Sequence, residues 1–419
     1  MTPTTPKRVL YIENGEYGGG SAESLYQLLT ALDRRAVEPV VVTTNPIRQA
    51  TKIAALGVPV IRLDHWLYSR SNSALKNHFS TWAKRLIVHG GRWLPIFGFL
   101  AEKRLTGALT CELLGIIRER KIDLLHTNNN IHRDYWAIEA AAVAGVPCVS
   151  HLRSFHSLGF SREKAARINA LVHTYIGYSQ SIVDHWTALG VDPEKCKVVH
   201  NAIGTIPPSS LVVDELLPGK TRIGIVGRII PERGHDVLLA AMPMVLAKMS
   251  SALLLVVGDG DEKSLDDLRE IANRFGIGAN VEFLGQRRDA VAVISELDVL
   301  VLPYTIEPFG RTVLEAWQVG TPVVMTNVGR IGDIVTDEVD ALLFKPGDCA
   351  DLARQILRVL ESDALRGTLV ENGRRVCTER FSIESQASKL LTIYAAAWIA
   401  ASPVDGAMRS LADGLSTSH

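Results

Sequence analysis

The chain has 419 residues, of which 47% are hydrophobic and 21% are charged, a balance typical of soluble globular proteins. This length predicts two domains, since one domain usually takes about 100 to 200 residues. Lysine plus arginine equals aspartate plus glutamate at 45 each. The chain therefore lacks the overall positive charge that would indicate a nucleic-acid partner.

The cysteines and the two ends of the chain predict a cytoplasmic protein. The five cysteines have no Cys-x-x-Cys spacing, which favours a reducing compartment over disulfides or a zinc knuckle. The first residues pass from a polar tail into a strand without the apolar run of a signal peptide. The apolar run LLTIYAAAWIAA, from Leu390, is shorter than the roughly 20 residues that a bilayer span needs.

Short apolar, β-branched runs alternate with helix-length segments in the first half of the chain. Such runs predict parallel strands that are buried on both faces. They are RVLYI (8–12), PVVVTT (39–44), DLLHT (123–127), PCVSHL (147–152), YIGYS (175–179) and KVVHNAI (197–203).

The alternation stops at GTIPPSSLVVDELLPGK (204–220), whose prolines, serines and glycines predict a linker, and then restarts. The later strands are RIGIVGR (222–228), ALLLVVGDG (252–260), VEFLG (281–285), DVLVLPY (298–304), PVVMT (322–326) and ALLF (341–344). Two doubly wound, Rossmann-like α/β domains are expected, with ligand in a central cleft at the carboxyl ends of their strands. The predicted divisions are a first domain at 1–205, a linker at 206–219, a second domain at 220–382, a last helix at 383–402 and a disordered tail at 403–419.

The loop ENGEYGGGSAES follows the first strand and opens a helix. The amides of Gly18, Gly19 and Gly20 could therefore face an anion or a substrate. The third glycine of a dinucleotide fingerprint is replaced by Glu23, which disfavours a nicotinamide oxidoreductase. A flexible turn is the alternative interpretation.

The segment GRIIPERG (227–234) also leaves a strand and places Arg228 and Arg233 near a helix start. Guanidinium groups there suit a diphosphate, because arginine is permanently charged and binds phosphate oxygens through paired hydrogen bonds. The alternative is that these arginines pair at the surface with Glu232 or Asp236.

The stretch GDGDE (258–262) contains an Asp-x-Asp pair, which could hold a divalent metal. Its glycines, Gly258 and Gly260, equally predict a tight turn after a buried strand. The turn is the favoured interpretation.

The stretch EPFGRTVLEAWQVGTP holds two acids, Glu307 and Glu315, seven residues apart. On one helix they would lie about 12 Å apart, beyond the roughly 5 to 9.5 Å of a glycosidase pair. Pro308 predicts a turn, after which the free amides of residues 309–312 would meet phosphate while the acids accept hydrogen bonds from hydroxyls. The alternative is an ordinary surface pair between Arg311 and Glu315.

Taken together, these motifs resemble the retaining GT-B glycosyltransferases of family 4. The similar stretches are GRIIPERGHDVLLAA, VVGDGDE, VEFLGQ and EPFGRTVLEAWQVGTPVVMTNVG, with GGGSAES and VVHNAIG in the first half. The resemblance covers most of the chain and implies the GT-B fold, whose last helix returns to the first domain. The resemblance gives almost no information about the identity of the acceptor.

The resemblance implies a role for each matching residue. Arg228 and Arg233 match the basic pair on the donor diphosphate, and Glu307 matches the acid near the reacting centre. Glu315 matches the acid that commonly holds the ribose. His151 matches the histidine that meets the donor sugar. The other implied donor-site residues are Gly227, Gly258, Phe309, Gly310, Arg311 and Thr312, and the implied acceptor-side residues are Gly18, Gly19 and Gly20.

The chain departs from the family pattern in three places. Arg233 stands where lysine is commoner, which keeps the charge and changes the geometry. The usual Asn-Gly before the linker is Asn201-Ala202, and the usual Gly-Gly after PVV is Gly329-Arg330. The last change adds bulk and charge beside the implied sugar pocket, so the sugar does not follow from analogy.

Residues 65–106 are rich in basic and aromatic side chains and contain one acid, Glu102. This composition suits peripheral contact with an anionic membrane. It equally suits an ordinary helix pair with a basic outer face, and an acceptor-side role fits either arrangement.

The predicted function is transfer of a sugar from a nucleoside diphosphate donor, with retention, to an acceptor. The acceptor is either a lipid-linked saccharide in polysaccharide or glycoconjugate assembly or a soluble small molecule. No metal and no separate cofactor are expected, because two arginines can supply the positive charge. A sugar-nucleotide epimerase and a non-catalytic sugar-nucleotide-binding protein remain the alternatives.

Overall fold

The computed structural model describes residues 5–14, 20–63, 94–129, 131–155, 157, 160–206, 219–306 and 310–401, with side chains of the helix at 94–105 left aside. The chain forms two compact units. The first comprises Met1–His200 with Ile383–His419, and the second comprises Asn201–Ser382. Within the described ranges, no helix is long and apolar enough to cross a membrane.

The first unit is built on a parallel sheet. Its described strands are β1 (Lys7–Ile12), β2 (Val37–Thr43), β3 (Val60–Arg62), β4 (Leu124–Thr127), β5 (Cys148–Leu152), β6 (Thr174–Gly177) and β7 (Cys196–Val198). Its described helices are α1 (Gly20–Ala31), α2 (Ala50–Ala55), α3 (Leu94–Glu119), α4 (Tyr135–Ala144), α5 (Arg162–Leu171) and α6 (Gln180–Ala188). The spatial order is β3-β2-β1-β4-β5-β6-β7, so the chain reverses direction across the sheet between β1 and β4.

The second unit repeats this plan. Its described strands are β8 (Thr221–Val226), β9 (Ala252–Val257), β10 (Val281–Gly285), β11 (Val299–Leu302), β12 (Val323–Thr326) and β13 (Leu342–Phe344). Its described helices are α7 (His235–Leu246), α8 (Glu262–Arg274), α9 (Ala290–Ser295), α10 (Arg311–Val319), α11 (Cys349–Glu361) and α12 (Asp363–Arg380). All pairings are parallel in the order β10-β9-β8-β11-β12-β13, with the reversal between β8 and β11.

Both sheets are covered on both faces, as the continuous apolar runs predict. Along β9, Leu253, Leu255 and Val257 enter one buried cluster, while Leu254 and Val256 enter another. Alternate side chains of a strand point to opposite faces, so each face of the sheet has its own core. The prediction of doubly wound α/β domains is confirmed.

Two strand predictions need correction. The edge strand β3 was not predicted, because three residues are too few to give a periodic signal. The predicted strand at 197–203 ends at Val198, and Ile203 instead bridges to Ser382 within the second unit. The apolar run therefore spans the boundary between the units, which a pattern of hydrophobicity cannot reveal.

The last helix, α13 (Ile383–Ala400), belongs to the first unit. Its buried Leu390, Tyr394 and Ala397 share a core cluster with Leu25 of α1 and Tyr11 of β1. The helix thus completes one face of the first sheet with residues from the far end of the chain.

Two glycines of α12 give a matched test of packing. A methyl group at Gly373 would lie 2.4 Å from Cδ1 of Trp317, whose buried ring is held by a hydrogen bond to the Asp340 carbonyl. A methyl group at Gly367 would meet nothing within 4 Å. We expect Gly373→Ala to lower the free energy of unfolding by about 1 to 3 kcal/mol and Gly367→Ala to raise it by up to about 1 kcal/mol. Urea unfolding measures both, and equal effects at the two positions would contradict the described packing.

Candidate functional site

The candidate site in the second unit lies where its strand order reverses. Loop 227–234 leaves β8 and loop 303–310 leaves β11, and these two strands are neighbours. In an open parallel sheet, the loops at the carboxyl ends of such a pair diverge and leave a crevice for ligand. The described donor-site residues of these two loops, Gly227, Arg228, Arg233 and Gly310, therefore fall at the same edge of one sheet.

Glycines allow the backbone segments at this edge to approach closely. Gly258 has φ +148°, and a Cβ there would lie 1.8 Å from the carbonyl oxygen of Gly227. Gly234 has φ +63°, and a Cβ there would lie 1.9 Å from the carbonyl oxygen of Pro303. Any other residue at either position would push the loops apart.

Arg228 and Arg233 both lie on the first of these loops. Arg228 is exposed and Arg233 is half-buried. Neither forms an ion pair among the described residues, so the alternative pairing with Glu232 or Asp236 is wrong. In the part of the chain that the structure describes, these two guanidinium groups have no carboxylate partner, and such groups can bind an anion.

Arg233 is held by an aromatic ring. Its guanidinium carbon lies 4.2 Å from the centroid of the Tyr304 ring, which follows β11 and is buried. Burial raises the pKa of Tyr304, while Arg233 and Thr312 lie close enough to lower it in part. The Tyr304 hydroxyl nevertheless makes no hydrogen bond of normal geometry within the described residues. The ring thus serves as a platform that orients the arginine.

The helix α10 presents its first turn at the same edge. Gly310 precedes it in an extended conformation and has no side chain with which to cap the amides of Arg311 and Thr312. Free amides and the helix dipole at such a position favour negative charge.

Glu315 forms a hydrogen-bonded ion pair with Arg311, with 2.8 Å between Nη2 and Oε1. The predicted alternative of an i,i+4 pair is therefore formed. It is not a surface pair, because the two side chains are only 14% and 13% exposed. Arg311 Nη1 is buried and has no partner among the described residues. The pair fixes Glu315 at the first turns of α10, and its contact with a ribose stays a prediction.

Several predicted features lie outside the described residues. They are Gly18, Gly19, Glu307, Phe309, most of the linker, most of the basic aromatic segment and the tail. Gly20 is the first residue of α1. The bulky departure at Arg330 forms an ion pair with Asp333, with 2.6 Å between Nε and Oδ2.

The Asp-x-Asp pair belongs to a turn, as favoured. Asp261 caps α8 by accepting a hydrogen bond from the Ser264 amide at 2.7 Å, and this bond lowers the pKa of Asp261. The Asp259 carbonyl accepts from the Ile229 amide at 2.7 Å. Within the described ranges, no cluster of three His, Cys, Asp or Glu residues could hold a metal ion. The expectation that no metal is required stays a prediction.

His151 lies at the carboxyl end of β5 in the first unit and is 1% exposed. Its ring stacks on that of His126, with 4.7 Å between centroids, and the two rings share a hydrogen bond of 2.6 Å. Burial and the positive charge of Arg153 lower the pKa of His151 well below its ordinary value. The imidazole is therefore neutral at physiological pH.

The first unit also contains a polar network that sequence reasoning missed. Glu13 is fully buried after β1 and accepts hydrogen bonds from Asn129 Nδ2 at 3.0 Å and Ser21 Oγ at 3.1 Å. Asn128 donates to the same carboxylate and accepts from Nε of Arg153. The signal was the polar residues that directly follow two buried strands, EN after RVLYI and NNN after DLLHT.

Comparisons with known proteins agree with this architecture. The chain matches the family Glycosyl transferases group 1 at residues 220–362 and the Glycosyl transferase 4-like domain at residues 19–202. An uncharacterised glycosyltransferase of Methanocaldococcus jannaschii is 27% identical over 76% of this chain and 81% of its own length. A phosphatidyl-myo-inositol mannosyltransferase of Mycobacterium leprae is 28% identical over 74% of this chain and 83% of its own length.

Among solved structures, Anabaena HepE in complex with UDP matches with a TM-score of 0.73 at 20% identity, covering 93% of this chain and 100% of that chain. This likeness defines the fold as GT-B, with two parallel-sheet Rossmann-like domains. The chain belongs to the group 1 glycosyltransferases. The resemblance to GT-B glycosyltransferases of this group is confirmed, while retention stays a prediction.

His235, the first residue of α7, gives a pH test of the site. Both ring nitrogens are buried without a hydrogen bond in the described part of the chain. Burial, with a contribution from Arg233, lowers its pKa to about 4. Between about pH 6.5 and pH 4 this histidine is protonated in the unfolded chain and neutral in the folded chain. The free energy of unfolding therefore falls as pH falls through this range.

We expect the wild type to lose up to about 3 kcal/mol of unfolding free energy more than His235→Leu between pH 7 and pH 4. Urea unfolding at several pH values measures the difference. Parallel profiles for the two proteins would show that His235 does not titrate in this way.

Proposed function

We propose that the protein is a retaining glycosyltransferase whose donor is a sugar joined to a nucleoside diphosphate. The observation that carries this proposal is the pair of arginines, Arg228 and Arg233, which have no carboxylate partner among the described residues and lie on the loop beside the uncapped first turn of α10. Both features lie at the reversal of strand order in the second unit. A diphosphate fits this combination, because it offers several oxygens and a negative charge to guanidinium groups and free amides together.

The same groups suit the leaving group of the transfer. Negative charge grows on the diphosphate as the bond from its oxygen to the sugar C1 breaks. Positive groups already in place stabilise that charge without reorganising. Arg228, Arg233 and the amides of residues 309–312 would thus supply the charge that a divalent ion supplies elsewhere.

The reaction forms one bond and breaks one. The acceptor hydroxyl oxygen bonds to C1, and the C1 to phosphate-oxygen bond breaks with its electron pair passing to the diphosphate. Retention places the entering and departing oxygens on the same face of the sugar, so the departing oxygen can take the acceptor proton. In this scheme Glu307 lies near the reacting centre, Glu315 binds the ribose and His151 binds an oxygen of the donor sugar.

The proposed acceptor is a saccharide carried on a lipid. Support comes from the basic and aromatic composition of residues 65–106 and from the phosphatidyl-myo-inositol substrate in the name of the Mycobacterium leprae relative. Aromatic side chains and lysines suit the surface of an anionic membrane. A soluble acceptor is the competing outcome of the transfer experiment below.

Calorimetric titration with UDP, GDP, dTDP and ADP tests the donor site. UDP is the first probe, since the HepE structure contains it. We expect one diphosphate to bind and its nucleoside to bind weakly. Arg233→Ala or Arg228→Ala should lower the affinity for the diphosphate by about tenfold to a hundredfold. Each arginine gives charge-assisted hydrogen bonds to phosphate, which the nucleoside lacks.

The matched control is Arg274→Ala, which removes an exposed arginine at the end of α8. It should leave the affinity within about twofold, since screened surface charges contribute little. Equal losses of affinity in all three variants would show that the net charge of the protein, and not a specific site, determines binding. Failure of all four diphosphates to bind would overturn the donor site.

Transfer itself is tested with a radiolabelled sugar on the diphosphate that binds, and with lipid and aqueous cell extracts as acceptors. We expect label in the lipid phase and the donor's anomeric configuration in the product. The rate of transfer should fall about 100-fold in Glu307→Gln. Diphosphate affinity should stay within about threefold in that variant, because a carboxylate near the sugar does not bind phosphate.

Other outcomes of this experiment identify the competitors. Label in the aqueous product would indicate a soluble acceptor, and inversion would exclude the retaining mechanism. An isomerised sugar nucleotide without added acceptor would identify an epimerase. Binding without any turnover would identify a non-catalytic sugar-nucleotide-binding protein.

A further inference from the structure

Four buried rings form a continuous hydrogen-bonded chain in the first unit. The Tyr11 hydroxyl lies 3.1 Å from the Tyr394 hydroxyl, which lies 2.5 Å from Nδ1 of His126. Nε2 of His126 lies 2.6 Å from Nδ1 of His151. Tyr11, His126 and Tyr394 are fully buried and His151 is 1% exposed.

The chain depends on four separate elements. Tyr11 and His126 are directly paired residues of β1 and β4, and His151 lies on the next strand, β5. Tyr394 comes from α13, 268 residues after His126. The last helix thus contributes a polar group to the interior of the first unit as well as apolar packing.

When both imidazoles are neutral, each ring carries one N–H, so the two tautomers of His126 define two ways of ordering the protons along this chain. In the first, Tyr11 donates to Tyr394, Tyr394 donates to Nδ1 of His126, and the Nε2–H of His126 donates to Nδ1 of His151. In the second, both bonds of His126 run in the opposite direction, and either hydroxyl donates in the bond between Tyr11 and Tyr394. The first leaves His151 with a proton on Nε2, and the second leaves it with a proton on Nδ1.

The first arrangement uses every hydroxyl proton in the chain. The second leaves one buried hydroxyl proton, that of Tyr11 or that of Tyr394, without an acceptor among the described residues. The free-energy cost of a buried donor without an acceptor favours the first arrangement over the second by about tenfold or more.

The surroundings agree with neutral rings. Burial lowers the pKa of His126 to about 3, with a further contribution from Arg153. Burial raises the pKa of Tyr11, while Arg34 opposes that rise. The positive charge of Arg34 also suits a Tyr11 oxygen that keeps its lone pairs and donates its proton elsewhere.

We propose that Tyr394 and His126 are positioning residues that hold His151 as the neutral tautomer with its proton on Nε2. His151 then donates a hydrogen bond to an oxygen of the bound sugar nucleotide and cannot serve there as a general base. This inference rests on the proposed role of His151 at the donor sugar. It adds a constraint, since the ligand must offer an accepting oxygen, such as a hydroxyl oxygen, to this residue.

The test is nitrogen NMR of the full chain labelled with 15N in its histidine rings. The His151 signals are assigned from their loss in His151→Gln. We expect His151 to show a protonated Nε2 and an unprotonated Nδ1 in the wild type. Tyr394→Phe removes the donor to His126, so His151 should then show signals averaged between the two tautomers.

Tyr11→Phe is the matched control, because it removes a hydroxyl from the same chain but leaves the bond from Tyr394 to His126. The Tyr394 proton then has an acceptor among the described residues only in the first arrangement, which therefore stays favoured. It should keep the wild-type tautomer and keep kcat/KM of sugar transfer within about twofold. Tyr394→Phe should lower kcat/KM by about five- to tenfold. Both substitutions retain the aromatic ring and therefore the packing.

A wild-type His151 protonated on Nδ1 would overturn the inference, as would identical tautomers and kinetics in wild type and Tyr394→Phe. Loss of tautomer control and of kcat/KM in Tyr394→Phe alone supports it. The NMR result does not need activity. Absence of transfer would therefore count against the proposed function and not against the tautomer.

Discussion

The close approach of backbone segments at the carboxyl edge of the second sheet determines where the arginines of the candidate site lie. Gly258 lets the turn after β9 rest on Gly227, and Gly234 lets the loop after β8 rest on Pro303. These two contacts bring Arg233 over the ring of Tyr304. A side chain at either glycine would separate loops that come from neighbouring strands, and with them the groups that an anion would meet.

The groups proposed to meet the ligand differ between the two units. In the second unit they are Arg228, which is exposed, and Arg233, which is half-buried; neither has a carboxylate partner among the described residues, and water solvates their charge until a ligand binds. The first unit buries uncharged rings, whose pKa values are moved away from neutrality by burial. A positive, solvent-facing group suits a charged diphosphate, and a neutral, rigid donor suits a sugar oxygen. The difference follows from the cost of burying a charge compared with that of burying a satisfied dipole.

The sequence was sufficient for the elements whose signals are local. The runs around β9 and β11 predicted buried parallel strands, and the pairing of Arg311 with Glu315 followed from their spacing on a helix. Its burial did not follow, because burial depends on tertiary packing, which the spacing of two residues on a helix does not reveal. The contact between His126 and Tyr394 was beyond prediction, since 268 residues separate them and neither residue carries a motif.

The stacking of Arg233 also explains a departure from the family pattern, which has lysine more often at that position. A guanidinium is planar and can lie flat on Tyr304 while its edge N–H groups stay free for phosphate oxygens. A lysine ammonium is compact, has no plane to stack, and is placed by a flexible stem. The hydroxyl of Tyr304 contributes no hydrogen bond of normal geometry among the described residues, so the ring face is what this tyrosine offers. Arginine at 233 and an aromatic residue at 304 therefore form one structural unit, in which the ring orients the charge that meets the diphosphate in the proposed function.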